Sequence, residues 1–176
     1  MEGEALLTGP GDGLSVRPAV PTDISQLVAF NRAMAEETEG KSLDVGVLTD
    51  GVSAVVESDA GTRGRYLVAE LRGRVVGAVM HTWEWSDWRN GDIWWLQSVY
   101  VEPDFRRCGI FTAMYDVLRS EARSHPGVVG LRLYVERHNE VAQATYQRLG
   151  MQAGGYEVME EIFGDAGQDE TDPVDA

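Results

Sequence analysis

A chain of 176 residues and 19.4 kDa suits one domain, is short for two, and is long enough to bury a core without disulfide or metal staples. Hydrophobic residues make up 43% and charged residues 25%, and the single cysteine, Cys108, excludes an intramolecular disulfide framework and a cysteine zinc site. A net charge of −14 opposes nonspecific nucleic-acid binding, which depends on Lys and Arg neutralising phosphates.

Much of that charge sits at the ends. Residues 1–13 carry Glu2, Glu4 and Asp12 with no base. They lack the basic and apolar regions of a signal peptide. Residues 164–176 carry Asp165, Asp169, Glu170, Asp172 and Asp175, again with no base. Both ends read as disordered, the second as an acidic solubilising tail. Residues 14–163 read as a single domain. No apolar run is long enough to cross a membrane. The expectation is a cytoplasmic protein with no membrane or nucleic-acid partner.

Leu14–Arg17 alternates apolar and polar residues and reads as a strand. Pro21-Thr-Asp opens a helix with Ile24, Leu27, Val28 and Asn31 on one stripe. The run Glu36-Glu-Thr-Glu-Gly40 breaks it. A second helix runs from about Asp44 to Glu57, and Gly61–Gly64 is a turn. Tyr66–Leu71 and Val75–Trp83 are strands joined at Arg72-Gly-Arg74. A polar loop, Ser86–Asp92, leads to strand Ile93–Val101, which Pro103 ends. From Gly109 a helix places Ile110, Ala113, Met114, Val117 and Leu118 on one face, and Pro126-Gly127 stops it. Val128–Val135 is a strand. Asn139–Leu149 is a helix, with Ala142, Thr145, Tyr146 and Leu149 on one face and Gly150 as C-cap. Tyr156–Ile162 is the last strand. The order β-α-α-β-β-β-α-β-α-β is an α/β fold with a mixed central sheet and flanking helices. No fixed-period repeat appears.

The segment Val99-Tyr-Val-Glu-Pro-Asp-Phe-Arg-Arg-Cys-Gly-Ile-Phe-Thr112 carries the strongest chemical signal. A buried strand runs through a loop with two arginines and a glycine into a helix. Amides at a helix N-terminus lack intrahelical acceptors, and the dipole favours an anion there. Gly109 lets the backbone approach a phosphate. The pattern is neither a Walker loop nor a GxGxxG turn. A helix start with exposed arginines is the plain alternative. Further on, Asn139 and Tyr146 lie two helical turns apart on one face. The phenol hydroxyl there needs a partner or a task.

Together these segments resemble the GNAT superfamily of acyl-CoA-dependent N-acetyltransferases. The pyrophosphate signature, Q/R-x-x-G-x-G/A, reads here Arg106-Arg-Cys-Gly109-Ile-Phe111. The later signature reads Asn139, Ala142, Tyr146 and Leu149-Gly-Met151. The resemblance spans Leu14 to Ile162. Phe111 departs from the usual Gly or Ala, so the helix start must accommodate a larger side chain.

The resemblance implies roles residue by residue. The backbone of Val99, Tyr100 and Val101 pairs with the pantetheine arm of acetyl-CoA, which fills the gap between splayed strands. The N–H groups of Arg107, Cys108, Gly109, Ile110, Phe111 and Thr112 cradle the pyrophosphate, and Arg106, which opens the signature, belongs to the same cofactor-binding loop. Asn139 contacts the cofactor arm. Tyr146 is general acid to the departing CoA thiolate after direct attack by a primary amine. No metal is implied. Cys108 is a filler in the loop, because the family needs no acyl-enzyme.

The base that takes the amine proton is open. The places where family members carry a glutamate hold Tyr134, and Trp95 or Gln97. His81, Glu84, Glu36 and Glu37 remain, or water alone. All five tryptophans lie within Trp83–Trp95. They read as a core or homodimer surface, or as an aromatic wall for the amine. Glu36, Glu37, Trp85 and Gln97 are the expected acceptor contacts. Two rival readings stand beside the enzyme: an acyl-CoA-binding module without turnover, and an interaction protein that uses the tryptophan hairpin.

Overall fold

Among the described residues, six strands form one sheet in chain order: β1 (Leu7–Thr8), β2 (Leu14–Pro18), β3 (Arg65–Leu71), β4 (Arg74–Ser86), β5 (Gly91–Val101) and β6 (Val128–Leu133). The structure is a computed structural model and describes residues 7–8, 13–58, 62–155 and 157–163. Neighbours are antiparallel up to β5, and β5 pairs with β6 in parallel. Helix α3 (Ile110–Ser124) makes that crossover, as a parallel connection requires. Helices α1 (Ile24–Glu39) and α2 (Val45–Val56) join β2 to β3. The fold is therefore the mixed α/β class expected from the element order. Of the first thirteen residues, the strand Leu7–Thr8 and Gly13 are described, and the strand pairs with Val16 and Ser15. The acidic tail, 164–176, lies outside the described residues.

The chain divides into two compact units, Met1–His138 and Asn139–Ala176. In the first, the sheet has a helix layer on each face. Leu27, Val28 and Phe30 of α1 and Val52 of α2 pack on Tyr66, Val68 and Ala78 of the sheet. Ile110 and Met114 of α3 press on the opposite face, where a Cβ on Gly77 would lie 3.2 and 3.3 Å from them. Arg17 ties the first strands together. It meets Asp23 through two nitrogens, at 2.7 and 3.1 Å, and Glu70 at 2.9 Å.

Several boundaries differ from the sequence expectation, among them the end of β6, which stops at Leu133 and not at Val135. The acidic run Glu36–Glu39 does not break α1 but forms its last turn, because glutamate is a good helix former. Gly40 stops the helix instead, with φ 64 in the left-handed region. The expected loop Ser86–Asp92 shrinks to a four-residue turn, 87–90. Cross-strand pairs Trp83–Trp94 and Thr82–Trp95 carry the ladder outward, and such bulky pairs stabilise extended strands. The expected last strand, Tyr156–Ile162, is not formed over its described part: residues 157–163 are irregular. Val158-Met159 and Glu160-Glu161 place like residues side by side, which breaks the period of two a half-buried strand needs.

In the second unit, α4 (Glu140–Arg148) starts where Asn139 accepts the Ala142 N–H at 3.0 Å. Gly150 follows with φ 93. Ala142, Tyr146 and Leu149 are half-buried, not the fully buried stripe the spacing suggests.

Candidate functional site

The site begins where the parallel ladder ends. Strands β5 and β6 pair from Asp92↔Val128 to Leu96↔Leu133. Beyond that point Gln97–Val101 have no β6 partner among the described residues. Backbone groups along that edge of β5 can pair with an extended ligand as a missing strand would.

A bulge sets what faces this edge. Val79 stands opposite Val99, and His81 opposite Leu96, so two steps on β4 match three on β5. Gln97 and Ser98 absorb the extra residue. Both turn to the α1 face: Gln97 Nε2 donates to Thr82 at 3.0 Å, and Ser98 bonds the Tyr66 hydroxyl. As a result Trp95 and Tyr100 share one face despite their odd separation, opposite Thr82 and Ala78.

After β5 comes one 3-10 turn, Pro103–Phe105, and then the expected phosphate loop. Arg107 and Gly109 both take positive φ, 61 and 81. Left-handed residues in a turn aim successive amides toward one side, a shape suited to anions. Gly109 is the N-cap of α3 and supplies no side-chain acceptor, so the helix's first amides are not capped from within the motif. A Cβ built on Gly109 would project into open space with no atom within 4 Å. The residues fit a diphosphate: open approach, donor amides and a helix dipole. Phe111 packs its ring on Tyr115, 6.0 Å between centroids, so its bulk is taken up along α3. Cys108 is exposed, and its Sγ lies 3.4 Å from the Arg106 carbonyl.

Arg106 reaches away from this turn. Its Nε donates to the Val101 carbonyl at 2.8 Å, and its Nη2 to Glu37 at 2.6 Å. The Tyr100 hydroxyl donates to the other Glu37 oxygen at 2.8 Å. The guanidinium also lies over the Tyr100 ring, 5.4 Å from its centroid. Partial burial would raise the Glu37 carboxyl, but the bonds from Arg106 and Tyr100 and the Arg106 charge hold it below its ordinary value. Burial, the bond to Glu37 and the charge of Glu37 all raise the Tyr100 phenol.

Not all expected acceptor contacts come together. Glu37 and Gln97 belong to the α1 side, and Glu36 is exposed in the same last turn of α1. Trp85 does not join them. Alternation places it with His81 and Trp83 on the α3 face, 61% exposed. Trp95 holds the corresponding position on the α1 face. Its ring lies 4.4 Å from Tyr134 and 5.1 Å from the Arg132 guanidinium. Glu84 accepts from the Trp95 indole and from Arg132. This cluster beside the end of the ladder escaped the site expectation, because the β5–β6 register that assembles it is not written in either strand. Tyr134 and Trp95, at positions where family members carry a glutamate, and Glu84, a candidate base, were its separate signals in the sequence.

Among the candidate bases, His81 is 1% exposed on the α3 face, stacked on Trp94 at 4.7 Å. Burial, helped by the Arg65 charge, pushes its imidazole down to about 4. It is sealed off on the other side of the sheet from Gln97. Glu84 and Glu37 are both engaged in ion pairs, with Arg132 and Arg106. In the second unit, burial raises the Tyr146 phenol above its ordinary value.

The family model described as "Acetyltransferase (GNAT) family" matches residues 33–151. A possible acetyltransferase from Clostridium difficile 630 is 40% identical, with a TM-score of 0.79 over 87% of this chain and all of that one. An aminoglycoside N-acetyltransferase in complex with CoA is 12% identical, with a TM-score of 0.71 over 89% of this chain and 99% of its own. A transcriptional regulator from Bacillus halodurans C-125 is 18% identical, with a TM-score of 0.70 over 85% of this chain and 99% of its own. These last two show likeness of fold alone. A comparison with curated proteins gives no match.

Proposed function

The chain belongs to the acetyltransferase (GNAT) family, and from that premise we propose that it moves an acetyl group from acetyl-CoA to a primary amine. The observation that carries this reading is the unpaired edge Gln97–Val101 leading directly into the open, glycine-capped start of α3. An acyl-CoA needs both in that order: an edge for the pantetheine amides, then donors for the pyrophosphate. The cofactor residues are the backbone of Val99, Tyr100 and Val101 and the loop from Arg106 to Thr112, with Asn139 on the cofactor arm by family likeness.

In the proposed reaction the neutral amine attacks the thioester carbonyl carbon, and a C–N bond forms. The C–S bond then breaks, and the thiolate takes the proton of Tyr146. The ammonium proton leaves to water, and Tyr146 is reprotonated from solvent. The products are an amide and CoA. A phenol is protonated at neutral pH, as an acid requires, and burial shifts Tyr146 further in that direction. Glu84 and Glu37 are already ion-paired, so water beside Glu36 and Gln97 is the proposed route for the amine proton. The acceptor lies on the α1 face, over Gln97 and the Trp95 ring.

Titration of acetyl-CoA into the protein at moderate salt tests the cofactor. Micromolar one-to-one binding supports the reading and justifies a panel of amines followed by thiol release. Absence of binding overturns it. A protein that binds acetyl-CoA and turns over no amine would be the module without turnover.

A further inference from the structure

Arg106 opens the pyrophosphate signature, yet its guanidinium is committed elsewhere. Three sides of the group are used: Nε on the Val101 carbonyl, Nη2 on Glu37, and one face on the Tyr100 ring. Glu37 in turn uses one oxygen for Arg106 and the other for Tyr100. The Tyr100 ring is fixed beneath by Phe30 of α1, 5.1 Å between centroids. The result is a closed set of contacts that joins the last turn of α1, the free end of β5 and the first residue of the loop.

We propose that Glu37 is a positioning residue for the cofactor loop, holding Arg106 as a strut that shapes the turn and not as a ligand of the pyrophosphate. The geometry gives the reason. Arg107 adopts φ 61, a left-handed conformation that non-glycine residues rarely hold. Such a residue persists where its neighbours are pinned. Arg106 is pinned by Glu37 on one side, and Gly109 begins α3 on the other. Pyrophosphate contacts then fall to the amides and to Arg107, which is exposed. The Glu37 carboxylate is thereby part of the cofactor half of the site, although it is carried by the helix on the acceptor side.

The binding arm of the test rests on the acyl-CoA reading, and the exchange arm does not. In the ligand-free protein, Glu37→Gln should speed hydrogen exchange of the Phe105 and Arg106 amides, which bond the Glu102 and Pro103 carbonyls, about tenfold and leave the β3–β4 ladder unchanged. Unchanged exchange in the loop would overturn the proposal whether or not acetyl-CoA binds. For binding, the dissociation constant of acetyl-CoA is read in a cycle of Glu37→Gln, Arg106→Gln and the double variant. Each single variant should weaken binding about five- to twentyfold, and the double variant no further than the weaker single. If Arg106 touched the pyrophosphate directly, its loss would far exceed that of Glu37 and the two would add. That outcome would also overturn the proposal. A wild-type protein that fails to bind acetyl-CoA would remove the proposed function, and the exchange result would still decide the strut.

Discussion

Leu96 and Leu133 are the last partners of the parallel ladder between β5 and β6. One residue later on β5 the strand edge has no β6 partner among the described residues, and five residues later it reaches Val101. Under the proposed function, this relationship marks where the pantetheine arm would enter the sheet. Acetyl-CoA should therefore slow hydrogen exchange at Gln97–Val101 and at the start of α3 while leaving β2–β3 unaffected. A protection pattern confined to some other region would place the cofactor elsewhere.

Gly109 joins that edge to the helix, and its φ of 81 favours glycine. Gly109→Ala adds strain of about 1 kcal/mol and sends a methyl group into the open space the phosphates would occupy. The variant should bind acetyl-CoA at least tenfold more weakly, with a melting temperature within several degrees of wild type. Binding equal to wild type would show that nothing bulky passes over this residue.

Tyr146→Phe keeps the ring and removes the proton. Loss of general acid catalysis is worth roughly 10²- to 10⁴-fold in rate. Steady-state assays with saturating acetyl-CoA should show a fall in kcat of about a hundredfold or more, with acetyl-CoA binding within twofold. An active preparation in which the variant turns over like wild type would assign the acid elsewhere.

The form of the candidate loop was legible in the sequence, and the reason is local chemistry. Arg106–Thr112 is a turn running into a helix start, and its glycine, charge and helix N-terminus lie within seven residues, so spacing alone marks it. The α3 stripe follows from helical period, and Ile110, Ala113, Met114, Val117 and Leu118 are all buried. What the sequence hid depends on register. The bulge at Gln97–Ser98 has no glycine to mark it, yet it decides that Trp95 and Tyr100 share a face. Glu37 and Arg106 are 69 residues apart, and no periodicity connects them. Trp85 and Trp95 look equivalent in the chain, and only pairing with β4 separates them across the sheet. Glu36 to Glu39 illustrate the limit of composition, since an acidic run ends a helix only where a residue such as Gly40 supplies the stop.

Asp23 and Arg17 form a tight ion pair away from the site, with the carboxylate only 7% exposed. Burial alone would raise the Asp23 carboxyl, but the Arg17 bonds, the Val20 amide and the Arg17 charge hold it below its ordinary value. Removing one partner leaves the other uncompensated. Asp23→Ala should cost about 2 to 4 kcal/mol in urea unfolding. The carboxyl's contribution is present above the ordinary carboxylate range and is lost as pH falls through the lowered folded value. A loss below about 0.5 kcal/mol would make the pair a surface ornament.

His81 sets a different acid limit. Its imidazole is buried neutral, facing Arg65 with Trp83 and Trp94 around it, and its folded value is about 4 against an ordinary 6.5. The unfolded chain binds a proton first, so the sign is fixed. Stability is full above pH 6.5 and falls as pH drops toward 4, by about 3 kcal/mol in all. This window lies above the one set by Asp23, so the two can be separated. Urea unfolding from pH 7.5 to 4.5 should show the decline in wild type. The variant His81→Phe, which cannot titrate, should be flatter over the same range, whatever its absolute stability. Equal slopes in the two proteins would mean that His81 gains its proton without unfolding, and that the imidazole reaches solvent on the α3 face.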